Sequence, residues 1–218
     1  WMDRSDETVR QAAFEFWRNT NRRDKGGVWQ STWLGVPTIQ NPLDVWVTQE
    51  ILHALKPDFV VETGTHRGGS AALWATLLDQ INPHGRVITI DINARSVPSA
   101  ESSGVQRRVD FLVGSSTDPD IVAEVARRVA GKSVVVILDS AHKAAHVRAE
   151  LEAYAHLVPV GSYVIVQDTG IGEPAYGMGG PADAVRDFLS TTDDFEVDLS
   201  RQPYGVTNNA KGFLRRVR

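Results

Sequence analysis

The chain has 218 residues, of which 42% are hydrophobic and 23% charged, and its net charge is -4. That balance excludes a disordered or fibrous chain, leaves room for one large core, and gives no electrostatic reason to expect nucleic acid as a partner. With no cysteine, disulfides, thiolate zinc sites and cysteine nucleophiles are excluded too, so the chemistry must come from oxygen and nitrogen groups, which fits a reducing cytoplasm.

No apolar run approaches the roughly 18 residues of a membrane helix, the N-terminus carries no signal-peptide pattern, and Trp1 ahead of Met2 is assigned no role. An amphipathic helix is expected around 7–18, then a Trp- and Pro-bearing segment, 29–42, that would cap a sheet. Residues 1–50 are read as this helical cap and 51–218 as the catalytic body of the same domain. From Phe59 onward, short β-branched runs alternate with helical patterns, the signature of βαβ units. Strands are predicted at 59–62, 86–91, 109–113, 134–139 and 163–167, most of them nearly continuous in Val, Ile and Leu, as strands covered on both faces should be. Helices are predicted at 70–78, 120–130, 144–157 and 182–190, with Pro119 and Pro181 where a helix begins and Gly131 and Gly161 where one ends. Two weaker strands, 195–199 and 212–217, would finish the sheet antiparallel. The expected fold is α/β: a doubly wound, mostly parallel, Rossmann-like sheet with an N-terminal cap.

Ligands of such sheets bind outside the carboxyl ends of the strands. The first strand ends in Glu62-Thr63-Gly64-Thr65-His66-Arg67-Gly68-Gly69-Ser70, where glycines allow close backbone approach and a helix N-terminus offers free N–H groups to an anion. A tight turn without a ligand is the bland alternative. The second strand ends in Asp91, suited to accept both hydrogen bonds of a ribose diol, a feature shared with nicotinamide enzymes. Ser115 and Ser116 follow the third strand and would either border an adenine ring or form a capped turn. Asp139 and Asp168 end the fourth and fifth strands, and their charges would repel unless a cation lay between them, with oxygen ligation favouring magnesium or manganese over zinc. The alternative is that one aspartate caps the following helix. His142, three residues after Asp139, is placed to take a proton from a hydroxyl, whereas His146 is expected to pack or face solvent. The segment 169–180, with Tyr176 and Met178, reads as a lid. Trp29 and Trp33 would face the substrate or pack in the cap.

As a set, these motifs resemble the cephalosporin hydroxylase/rhamnosyl O-methyltransferase family. The resemblance runs through Trp33-Leu34-Gly35-Val36-Pro37, Pro42-Leu43-Asp44-Val45-Trp46, Glu62-Thr63-Gly64-Thr65, Asp91-Ile92, Gly114-Ser115-Ser116, Leu138-Asp139-Ser140-Ala141-His142, His146-Val147, Gln167-Asp168-Thr169 and Thr207-Asn208-Asn209 with Gly212. It implies a class I methyltransferase using S-adenosylmethionine with Mg²⁺ or Mn²⁺. The donor would be held by residues from Glu62, Gly64, Thr65, Gly69, Ser70, Asp91, Ser115, Ser116 and Asp139. The metal would be held by Asp139, Gln167 and Asp168, with His142 as base. The family usually carries Glu-Asp where this chain has Gln167-Asp168, so one anionic ligand is missing.

The expected activity is O-methylation of a small hydroxylated acceptor, a sugar or glycosylated natural product, by a protein that binds neither nucleic acid nor membrane and whose homo-oligomerisation is open. A nicotinamide oxidoreductase is disfavoured because the chain has no room for a second substrate domain. A noncatalytic S-adenosylmethionine-binding module is kept open by Gln167.

Overall fold

The computed structural model describes residues 12, 15, 16, 18, 19, 26–93, 106–170 and 179–218. Of the helix expected around 7–18, the described residues Ala12, Glu15, Phe16 and Arg18 are helical, as is Asn19 beyond it. Residues 171–178 of the expected lid lie outside the described residues. A short hairpin, β1 (Thr32–Trp33) paired with β2 (Val36–Pro37), opens the cap. Trp33 packs there, donating its indole N–H to Thr76 Oγ1 at 3.1 Å.

Helix α1, Pro42–Leu55, has no counterpart among the predicted elements. Asn41 caps it by accepting from the Leu43 N–H at 3.0 Å, and Pro42 occupies the first turn, where its missing N–H costs nothing. The sequence reading treats Pro42 as the end of a loop segment, whereas it starts a helix whose buried face is Val47, Thr48, Ile51 and Leu52. Position 50, the expected limit of the cap segment, falls inside this helix.

The main sheet follows from strands β3 (Phe59–Thr63), β4 (Arg86–Asp91), β5 (Val109–Val113), β6 (Val134–Leu138), β7 (Tyr163–Val166), β8 (Phe195–Val197) and β9 (Phe213–Arg216). They lie in the order β5-β4-β3-β6-β7-β9-β8, with β3 to β7 parallel and β9 antiparallel to both of its neighbours. Helices α2 (Gly69–Ile81), α3 (Pro119–Val129), α4 (Ala144–Tyr154) and α5 (Pro181–Leu189) cover its two faces. The alternation of strand side chains divides the core. Val61, Ile88, Val136 and Val164 meet Val125, Leu151, Tyr154 and Phe188, while Val60, Val87, Val135 and Ile165 meet Ile51, Leu52, Trp74 and Leu78. Each fully buried Val, Ile or Leu among them contributes roughly 1.5–3 kcal/mol of transfer free energy.

This order creates one topological switch. From β3 the chain winds outward through β4 and β5, then returns to β6 on the opposite side of β3, so the loops after β3 and β6 diverge and open a crevice at their carboxyl ends. Among the described residues, no helix is long and apolar enough to cross a membrane.

Candidate active site

A pocket of about 510 Å³ occupies that crevice. Its shape depends on glycines at two close approaches. Gly64 turns the chain out of β3 with φ of 89°, and a Cβ there would meet the Asp139 carbonyl oxygen at 2.0 Å. Gly69, in the first turn of α2, lies so close to the cap that a Cβ would meet the Pro37 carbonyl oxygen at 2.2 Å. The cap is thereby seated on the start of α2 and closes one side of the pocket with Val28, Trp29 and Ile39.

Every expected site residue except Glu62 lines this pocket: Gly64, Thr65, Gly69, Ser70, Asp91, Ser115, Ser116, Asp139, His142, Gln167 and Asp168. Glu62 lies behind the wall. Its carboxylate accepts from Trp74 Nε1 at 2.9 Å and Thr89 Oγ1 at 2.7 Å, and burial pushes its pKa up to about 7. Because this pKa lies above that of an unfolded glutamate, the stability it supports is complete at low pH and is lost as pH rises through about 7. Glu62→Gln is therefore expected to lose that pH dependence, with equal stability at pH 5 and pH 8 where wild type is less stable at pH 8. Urea unfolding of both proteins at pH 5 and 8 measures it, and parallel pH dependences would refute the assignment.

At the other strand ends, polar groups are already organised. Asp91, which lines the pocket, accepts from the His66 N–H at Oδ2 and from the Asn93 N–H at Oδ1, both at 2.8 Å, and each oxygen keeps a further lone pair. Thr65 bonds Thr89 through its hydroxyl at 2.8 Å. Ser115 bonds Thr117, while Ser116 donates to the buried Glu150 at 2.6 Å. His146 lines the pocket rather than packing away from it. Its Nε2 lies 3.1 Å from Ser116 Oγ, and its bond to Glu150 raises its pKa.

Asp139, His142 and Asp168 each present a potential ligand atom within 4.8 Å of the others. His142 Nε2 lies 3.4 Å from Asp168 Oδ2. Burial, then the charges of Asp168 and Glu62, hold the Asp139 carboxyl well above the ordinary range. Asp168 is raised as well, by burial, against the lowering influence of His142. Two half-buried carboxylates destabilised by each other, with an imidazole and an amide oxygen at hand, fit a hard divalent cation. The amide oxygen is that of Gln167, which accepts from Gln40 Nε2 at 3.0 Å, and the same Gln40 nitrogen donates to Asp139 Oδ2 at 3.0 Å. Sequence reasoning missed Gln40, together with Asn41, Asp44 and Asn208, which also line the pocket. An Asn-Pro-x-Asp helix start at Asn41 was the available signal; nothing comparable marks Gln40.

Residues 26–217 match the family model described as rhamnosyl O-methyltransferase/CmcI. The chain belongs to that family. A rhamnosyl O-methyltransferase of Mycobacterium tuberculosis is 35% identical over 199 residues, covering 87% of this chain and 80% of the relative. Among solved structures of this architecture, a CmcI chain described with Mg and SAM superposes with a TM-score of 0.67 at 22% identity, covering 87% of this chain and 78% of that one. The O-methyltransferase TomG from Streptomyces achromogenes, solved with SAM, gives 0.59 at 19% identity, covering 98% and 91%. At these identities the structural likeness establishes the Rossmann-like methyltransferase fold, and family membership rests on the sequence matches. The family sets this chain among methyltransferases rather than nicotinamide oxidoreductases.

Proposed function

We propose that the chain transfers the methyl group of S-adenosylmethionine to a hydroxyl of a small molecule, a sugar or glycosylated natural product. The observation that carries this reading is a pocket lined both by Asp91, at the end of β4, and by the Asp139, His142 and Asp168 cluster at the ends of β6 and β7. In this reading the donor's amino-acid end meets the start of α2 at Gly69 and Ser70, its ribose bonds Asp91, and its adenine borders Ser115 and Ser116. Its sulfonium is directed toward Asp139. Asp139 and Asp168, with the oxygen of Gln167, would hold Mg²⁺, which when bound makes a nearby hydroxyl more acidic.

His142 accepts the acceptor's proton, and the resulting imidazolium is stabilised by the Asp168 carboxylate beside it. A hard cation prefers oxygen, which leaves the imidazole for proton transfer. The acceptor oxygen attacks the methyl carbon in line, the carbon–sulfur bond breaks with its electron pair going to sulfur, and S-adenosylhomocysteine and the methyl ether leave.

The test is turnover of S-adenosylmethionine against a panel of hydroxylated sugars and glycosides, with S-adenosylhomocysteine as readout. Binding of the donor without turnover of any acceptor would favour the noncatalytic module that Gln167 keeps in view. Asp91→Ala is expected to weaken donor binding about tenfold or more, since hydrogen bonds to a charged group contribute about 1.5–3 kcal/mol each. Calorimetry with S-adenosylmethionine measures it, and equal affinity would remove Asp91 from the site.

A further inference from the structure

Asp168 adopts a backbone φ of 60°, a left-handed conformation that costs a residue with a side chain on the order of 1–3 kcal/mol and persists where surroundings enforce it. The enforcing groups come from a segment that the reading of the site leaves unused, Thr207-Asn208-Asn209. Asn209 Oδ1 accepts from the Asp168 N–H at 3.1 Å, and the Asn208 side chain hydrogen-bonds the Asp168 carboxylate. Which end of the Asn208 amide meets Asp168 is fixed by Asn41, whose Nδ2 donates to Asn208 Oδ1 at 3.3 Å, leaving the NH₂ for the carboxylate. Asn41 is itself immobilised as the cap of α1. Asp44, one turn into that helix, accepts from the Asn208 N–H at 2.8 Å and from Thr207 Oγ1. The Gly170 N–H, just past Asp168, donates to the Asn208 carbonyl at 2.6 Å. Asp44, Asn208 and Asn209 are all buried.

We propose that Asn208, clamped by Asn41 and Asp44, is a positioning residue that sets the Asp168 carboxylate for the divalent ion. This rests on the reading of Asp168 as a ligand. A neutral amide suits the task because it orients the carboxylate without cancelling the charge that attracts a cation, as a lysine or arginine there would. Asn208 thus bonds the carboxylate of a residue that lines the pocket, and His142 Nε2 lies 3.4 Å from its Oδ2. Partners of this kind orient ligands, and their loss costs about 10–100-fold in metal affinity.

The experiment measures Mn²⁺ binding by electron paramagnetic resonance, without donor or acceptor, in wild type, Asn208→Ala, Asn41→Ala and Asp168→Asn. Asn208→Ala is expected to raise the Mn²⁺ dissociation constant about 10–100-fold and Asn41→Ala by a smaller factor, with S-adenosylmethionine affinity within about twofold of wild type. The Mg²⁺ concentration for half-maximal turnover should rise in step, and excess Mg²⁺ should restore the rate. Asn41→Ala keeps the test open if Asn208→Ala does not fold. Wild-type Mn²⁺ affinity in the folded Asn variants, with binding lost in Asp168→Asn, overturns the positioning role alone. Wild-type affinity in Asp168→Asn overturns the ligand reading beneath it.

Discussion

Replacing His142 with alanine is expected to lower turnover about a hundredfold or more while leaving S-adenosylmethionine affinity nearly unchanged, the pattern of a lost general base. The geometry gives His142 two possible duties, since its ring belongs to the same 4.8 Å cluster as Asp139 and Asp168. As a base, its removal leaves the oxygen ligands in place, and Mn²⁺ affinity should stay within a few-fold of wild type. As a ligand, its removal should weaken the ion and the rate together, and excess Mg²⁺ should recover part of the loss. Rates at saturating donor and a range of Mg²⁺ concentrations therefore distinguish the two. A low rate that no amount of Mg²⁺ restores supports the base. Normal turnover at every pH between 6 and 9 would demote His142 to a structural residue.

The parallel sheet was legible because its strands are short, β-branched and separated by helical periodicity; the expected limits of β4 and β5, 86–91 and 109–113, match the structure. The meeting of Asp139, His142 and Asp168 in the pocket was legible for the same reason, since strand ends in such sheets point at ligands. Glu62 shows where that rule needs strand parity beside it. Its side chain shares the face of Val60, two residues back, and so points to Trp74 of α2 rather than out of the sheet end. Asn41, Asp44 and Asn208 were not legible as one group because Asn41 and Asp44 meet Asn208 through contacts spanning most of the chain, and the helix start at Asn41 marks a cap without recording that meeting. Gln40 is the same case with a larger consequence, because its amide joins two expected ligands, Asp139 and Gln167.

Removing divalent metal with EDTA is expected to lower the methyl-transfer rate by at least about tenfold, because Asp139 and Asp168 would then face each other uncompensated and the acceptor hydroxyl would be less acidic. Gln167 sets how much metal is needed. It offers one neutral oxygen, already accepting from Gln40, where a carboxylate would add an anionic ligand. Gln167→Glu keeps that acceptor and adds a negative charge beside Asp139 and Asp168. Its consequences run in opposite directions with and without the ion. In EDTA, a third carboxylate beside Asp139 and Asp168 has no counter-charge, so the variant should melt below wild type. In Mg²⁺, the added charge should tighten binding, lower the concentration needed for half-maximal rate, and widen the gap between the melting temperatures with and without ion, since bound ligand stabilises the folded state in proportion to the logarithm of its occupancy ratio. Melting curves and Mg²⁺ titrations of both proteins measure these effects together. A wild-type rate indifferent to chelator, with no change in metal requirement in Gln167→Glu, would leave His142 and donor proximity as the whole of catalysis.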